Sequence, residues 1–239
     1  MIRLAMLWAK ALLLTSAFLV SQIRAEALSV IEGITFWSQP AEVFVGLDEV
    51  VRLLHWEVRR EGNLARTING SPLTDRSSRS LTDGTALVSL SGLQAAGASV
   101  RGEPHGATWT VVCEQGSLTV QTGSKKVEID LKSQRLDAWQ GNRLVLHTRI
   151  SSGRNGRTPS GQYQAGPYRS RMHYSNRYHH APMPWSVQIN GHIFIHGFSE
   201  VPSYPASHGC IRLPLDEGNP AKFFYEWVDD GTPVLVKRD

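Results

Sequence analysis

Residues 186–196 read SVQINGHIFIH: two runs that alternate apolar and polar positions on either side of Asn190-Gly191. Period-two alternation belongs to a strand with one buried face. Asn-Gly suits a tight turn that needs positive φ at both central residues, so a β-hairpin is expected there. KKVEIDL (125–131) alternates too, with Val127, Ile129 and Leu131 on one face. RLDAW and RLVLHTRI flank Gln140-Gly141-Asn142, a second expected hairpin. SSGRNGRTPSGQY (151–163) has no apolar period and reads as a loop. One helix stands out. Asn219 can cap free N–H groups and Pro220 is tolerated at the first helical position. Ala221, Phe224, Trp227 and Val228 share one face. Gly231 is expected to end this helix, and TPVLVK to close the chain as a strand. The expected domain over 125–239 is mainly β with one clear helix.

The preceding region carries an internal echo. EVFVGLDEVVRLLHWEVRREG (42–62) and TALVSLSGLQAAGASVRGEPHG (85–106) each run from a short strand through Leu47 or Leu90 into a short helix, then reach Val58 or Val100 in a second strand. TWTVVCEQ and SLTVQTG continue as a hairpin turning at Gln115-Gly116, with Trp109, Val111 and Cys113 on one side. Residues 28–124 are therefore expected to form a small α+β module. Its histidines, His55 and His105, stand alone and suggest no ligand cluster.

Residues 1–27 have a different character. Arg3 and Lys10 precede or flank an apolar run, ALLLTSAFLV (11–20), and Ala25-Glu26-Ala27 follows as a small-x-small site. This is a secretory leader layout with cleavage expected after Ala27, and the run is short for a membrane span. An uncleaved anchor is the alternative. The full chain carries a formal charge of +4, and removing the leader leaves about +2, too little to argue for nucleic acid. The expected location is outside the cytoplasm, in a periplasm or cell wall.

SHGCIRLP (207–214) holds one of the two cysteines. A free thiol is mostly protonated at neutral pH, so nucleophilic use of Cys210 needs a base or a positive neighbour. His208 and Arg212 are two residues away on either side, and His196 ends the HIFIH strand, from which residues 197–207 can return the chain. Gly209 permits a sharp turn that brings amide N–H groups toward a developing oxyanion. These are the parts of an acyl-transfer site. A structural cysteine, or a disulfide with Cys113, remains open on the residues alone.

IHG (195–197) followed by SHGCIR (207–212) resembles the signature of the YkuD-type L,D-transpeptidase catalytic domain. RTPSGQY, APMPWSVQINGHIFIHG and DDGTPVLV resemble further segments of that family, from about 125 to 238. The resemblance implies a YkuD-like β-sandwich and cysteine acyl transfer on peptidoglycan stem peptides, without metal or other cofactor. Carried over, Cys210 is the nucleophile, attacking as thiolate. His196 is its base, oriented by a carbonyl just after it. The amides of His208, Gly209 and Cys210 form the oxyanion hole. Ser207 shapes the turn with His208, and Arg212 meets the donor. The gap from His196 to Ser207 is shorter than in many members, and Arg212 stands where some have Asn. Trp185 and Tyr178 are expected to cover the site, with a core role for Trp185 as the alternative. A metal site at His173, His179 and His180 is disfavoured, since no acidic or cysteine partner is near. Carbapenem-type β-lactams are expected to acylate the same thiol. An L,D-carboxypeptidase or endopeptidase, or a non-catalytic wall-binding protein, are the alternatives. Residues 28–124 resemble the stalk domains called copper-amine-oxidase-N-terminal-like, which implies a spacer or binding module rather than a copper site.

Overall fold

The computed structural model describes residues 29–62, 64–102 and 106–238. The expected leader and His105 lie outside the described residues. The first half runs β1 (Ser29–Phe36), β2 (Gln39–Gly46), α1 (Leu47–Leu54), β3 (Val58–Glu61), β4 (Leu64–Ile68), β5 (Ser71–Pro72), β6 (Ser78–Ser80), β7 (Ala86–Ser89), α2 (Leu90–Ala95), β8 (Ser99–Gly102), β9 (Thr108–Cys113) and β10 (Gly116–Thr122). Seven strands form a sheet in the order β6-β7-β2-β1-β10-β9-β8, and β3-β4-β5 form a second, small one. The echo has a structural basis. Leu47 and Leu90 each open a helix directly after a strand, and those strands, β2 and β7, pair antiparallel with Phe44 opposite Ser89. The copies then diverge, because β3 joins the small sheet while β8 edges the large one.

The second half runs β11 (Lys125–Asp130), β12 (Arg135–Gln140), β13 (Arg143–Arg149), β14 (Gly161–Gln164), β15 (Arg169–Tyr174), β16 (Pro182–Asn190), β17 (Ile193–Phe198), β18 (Ile211–Pro214), α3 (Pro220–Trp227) and β19 (Pro233–Lys237). It contains a sheet ordered β13-β12-β11-β19-β14 and another ordered β15-β16-β17-β18. The protein is thus mostly β. Val127, Ile129 and Leu131 are buried, as the alternation requires, and α3 buries Ala221, Phe224 and Trp227 against strands of both sheets. Asn219 Oδ1 accepts the Lys222 N–H at 3.0 Å, the expected cap. Ile34, Phe36 and Phe44 of the first half share this core, with Phe36 edge-on to Phe223 at 5.7 Å.

Two local expectations are corrected. The β16–β17 turn is Gly191-His192, because β16 continues to Asn190, which pairs with Ile193. A register irregularity between Gln188 and Asn190 moves the turn by one residue, and of the pair only Gly191 has positive φ, +48°. Helix α3 stops at Trp227 rather than at Gly231, with Val228 extended. Lys125 Nζ donates to Trp227 O at 2.6 Å, and Arg169 Nη1 donates to Tyr225 O and Val228 O at 3.2 and 3.1 Å. These contacts satisfy the helix's terminal carbonyls in place of a glycine cap. Among the described residues, no helix is long and apolar enough to cross a membrane.

Candidate active site

Strands β17 and β18 are parallel neighbours with His196 opposite Arg212. That register carries Cys210, one residue ahead of β18, back to the strand that holds His196. The intervening turn is tightly wired. Ser207 Oγ accepts the Gly209 N–H at 3.0 Å and donates to Cys210 O at 2.5 Å. Gly209 sits at φ +146°, where a side chain would be strained.

The glycine-rich loop ahead of β14 clamps this turn from outside. Ser207 N–H donates to Ser152 O at 2.9 Å and Arg154 N–H to Ser207 O at 3.0 Å. Thr158 Oγ1 accepts the Gly153 N–H at 2.7 Å and donates to Gly209 O at 2.6 Å. A Cβ on Gly153 would lie 2.8 Å from Thr158 N and 2.9 Å from Gly209 Cα, so the loop approaches as closely as it does only because residue 153 has no side chain. Gln134 supports the loop's start, with Oε1 accepting the Ser152 N–H at 2.8 Å.

His196 is 4% exposed, and its Nδ1 lies 2.8 Å from the Gly197 carbonyl oxygen. A carbonyl only accepts, so Nδ1 carries the proton and Nε2 is left with the lone pair. Burial pushes the imidazole down to about 4, assisted by the Arg212 and His173 charges and opposed by the Gly197 bond. Burial also pushes the Cys210 thiol up, opposed by a hydrogen bond from the Phe194 backbone and by the Arg212 charge. Both groups are thus held toward their neutral forms, a thiol and an imidazole. The thiol makes a weak contact to His192 O at 3.5 Å. Cys210 and His196 both line a small cavity of about 50 Å³ with Met183, Tyr178 and Arg212. Cys210 also opens into a larger cavity of about 590 Å³.

The other residues singled out in the sequence divide. Tyr178 stacks on His208 with ring centroids 4.2 Å apart, and both line the two cavities. His208 Nε2 lies 2.8 Å from Arg154 Nη2. Arg212 packs over the Phe198 ring at 3.9 Å. The Gly209 amide is occupied by Ser207 Oγ, so it does not serve as an oxyanion donor in this conformation. The amides of His208 and Cys210 have no partner among the described residues. Trp185 does not cover the site. Its φ of +57° breaks the strand alternation, and its ring packs against Tyr225 of α3 at 5.6 Å. His173 stacks on Phe194 and His179 and His180 are exposed, and among the described residues no group of three or more His, Cys, Asp or Glu could hold a metal. Cys113 and Cys210 are both free, so the disulfide alternative does not apply to this structure. Sequence reasoning missed Thr158, Gly153, Arg154 and Met183. The aperiodic loop 151–163 signalled only Gly153, Arg154 and Thr158, and nothing local says which turn a loop will close upon; Met183, in β16, carried no signal.

Residues 124–236 match the family model YkuD, the L,D-transpeptidase catalytic domain, and Cys210 and His196 both lie inside the match. That segment is similar to the YkuD-type L,D-transpeptidase catalytic domain. Among solved structures, an L,D-transpeptidase from Stackebrandtia nassauensis is 25% identical with a TM-score of 0.44, covering 48% of this chain and 56% of that one. The L,D-transpeptidase from Xylanimonas cellulosilytica is 31% identical with a TM-score of 0.41, covering 49% of this chain and 62% of that one. An LD transpeptidase in complex with imipenem is 16% identical with a TM-score of 0.44, covering 88% of this chain and 94% of that one. The match to each of the first two spans less than two thirds of that protein. No curated protein matches the chain.

Proposed function

We propose that the protein is an exported peptidoglycan L,D-transpeptidase. The observation that carries this reading is that Cys210 and a buried His196, whose Nδ1 is committed to the Gly197 carbonyl, line one small cavity, within a segment that matches the L,D-transpeptidase catalytic domain. Nε2 of His196 takes the thiol proton as Cys210 Sγ attacks the carbonyl on the L-centre of the third stem residue. The charge that develops on the carbonyl oxygen is met by the N–H groups of His208 and Cys210. The C–N bond to the terminal D-alanine breaks, and the imidazolium returns its proton to the leaving amine. A thioester on Cys210 remains. An acceptor amine attacks it, loses a proton to His196 and releases the thiol, joining two third residues. One acyl bond replaces another, so the exchange consumes no ATP.

Residues 28–124 act as a stalk-like carrier of the copper-amine-oxidase-N-terminal-like kind, and export into the periplasm or cell wall follows from the leader layout of 1–27. The test is intact-protein mass after mixing with a carbapenem, beside Cys210→Ala. A covalent adduct on the unaltered protein alone is expected, and adducts on neither or on both would reject Cys210 as the acylated group. Product analysis on tetrapeptide stems then separates cross-linking from hydrolysis, the reaction of a carboxypeptidase.

A further inference from the structure

The larger cavity beside Cys210 is one-sided in charge. Arg157 and Arg177 stand on its wall with His192 and His208, and no Asp or Glu lines it. Several arginines elsewhere are matched to carboxylates, among them Arg79 with Glu226, Arg149 with Glu217 and Arg169 with Asp230. Neither Arg157 nor Arg177 has a carboxylate partner among the described residues. Arg177 Nη2 lies 2.8 Å from His192 Nε2, and Arg154 Nη2 lies 2.8 Å from His208 Nε2. A guanidinium only donates, so each imidazole accepts through Nε2 and keeps its proton on Nδ1. The two imidazoles thus spend their Nε2 lone pairs on arginines, and the wall presents guanidinium N–H donors and positive charge.

A planar guanidinium fork matches a carboxylate, and a wall of such groups repels a protonated amine. We propose that this cavity is a carboxylate-binding subsite, formed by Arg157 and Arg177, that selects the donor stem by its free carboxylates and disfavours entry of the protonated acceptor amine. The identity of the ligand rests on the transpeptidase reading, whereas the preference for anions is a property of the cavity alone.

Two alkylating reagents of similar size separate these. Iodoacetate is an anion and iodoacetamide is neutral, and each transfers its carbon to a thiol with loss of iodide. The rates at Cys210, located by peptide mass, are taken as an iodoacetate-to-iodoacetamide ratio and divided by the same ratio for glutathione. The expected value for the unaltered protein is about tenfold at low salt, the scale of local anion enrichment in a charged cleft. It should fall at least about threefold in Arg157→Gln and in Arg177→Gln, with the iodoacetamide rate and melting temperature kept, and Arg177→Lys should retain most of it. Should either variant fail to fold, the unaltered protein still decides: raising salt from about 0.05 to about 0.5 M should erase most of the preference. A ratio equal to that of glutathione, or one indifferent to salt, overturns the subsite. The second arm compares kcat/KM for a donor stem with free carboxylates and for the same stem as carboxamides. An advantage of about tenfold for the free acid is expected, lost in Arg177→Gln. Equal values overturn the role in selection. Turnover of neither stem by a protein that keeps its iodoacetate preference overturns the transpeptidase reading instead.

Discussion

Burial moves His196 and Cys210 away from their charged forms, one downward and one upward in pKa. In the proposed mechanism the base is thus available without first losing a proton, and the thiol is activated only as the substrate's carbonyl is attacked. The acid limb of the Cys210 acylation rate should accordingly fall near 4, where His196 titrates, rather than near the ordinary 6.5; a limb at the ordinary position would show that His196 is not the base. The same shift acts on stability. The folded pKa lies below the unfolded one, so the native protein binds fewer protons between 6.5 and about 4. Its stabilising effect is complete above that window and is lost as pH falls through it, about 3 kcal/mol in all. His196→Gln should flatten the acid-side decline in melting temperature, and an unchanged decline would assign it to other groups. Of the single residues, the gathering of Cys210, His196 and Ser207 at one place was legible because they stand close in sequence or end a strand. Trp185 was not, because its placement depends on a positive φ that alternation does not encode.

At the scale of elements, the site is a strand pair plus a clamp. Parallel pairing of β17 with β18 sets Cys210 against the His196 strand, and the loop 151–158 holds the turn that presents the thiol. Thr158→Val keeps the shape but removes the hydroxyl that bonds both Gly153 N–H and Gly209 O. Losing it should cost about 1–3 kcal/mol in stability and slow Cys210 acylation roughly tenfold, a factor worth about 1.4 kcal/mol. Gly153→Ala pushes a Cβ into backbone on both sides and should slow acylation further while circular dichroism stays mainly β. Acylation at the unaltered rate in both variants would show that the clamp does not position the thiol. The hairpins and α3 were legible from period and capping residues. The turn register and the helix end were not, because a bulge in β16 and the side chains of Lys125 and Arg169 decided them.

Across the whole molecule, the two halves meet in one apolar cluster and a polar seam, while the first half keeps a second cluster of its own. Arg79 bonds Gln39 and Glu226 while lying 4.2 Å from the Phe36 ring centroid, Arg143 pairs with Glu49, and Glu32 accepts the Asn142 N–H at 2.9 Å. Phe36 itself lies between Phe44 of the first half and Phe223 of the second. Phe36→Ala should therefore cost about 3–5 kcal/mol and lower the melting of both halves together. The test follows near-ultraviolet circular dichroism and Cys210 accessibility through the same melt. Two separated transitions, with only the first displaced, would mean that the halves fold independently.

By itself the sequence determined the β-rich class of the second half and its α-helix, and it marked the candidate nucleophile and base, because period-two alternation, capping residues and the short SHGC segment are local patterns that express local physics. Tertiary structure alone decided the rest. The clamp on the turn, the protonation of the thiol, the loss of the Gly209 amide to Ser207 and the arginine-lined cavity all depend on segments tens of residues apart. Such contacts are selected by packing and burial of the whole chain, which no short stretch of residues encodes.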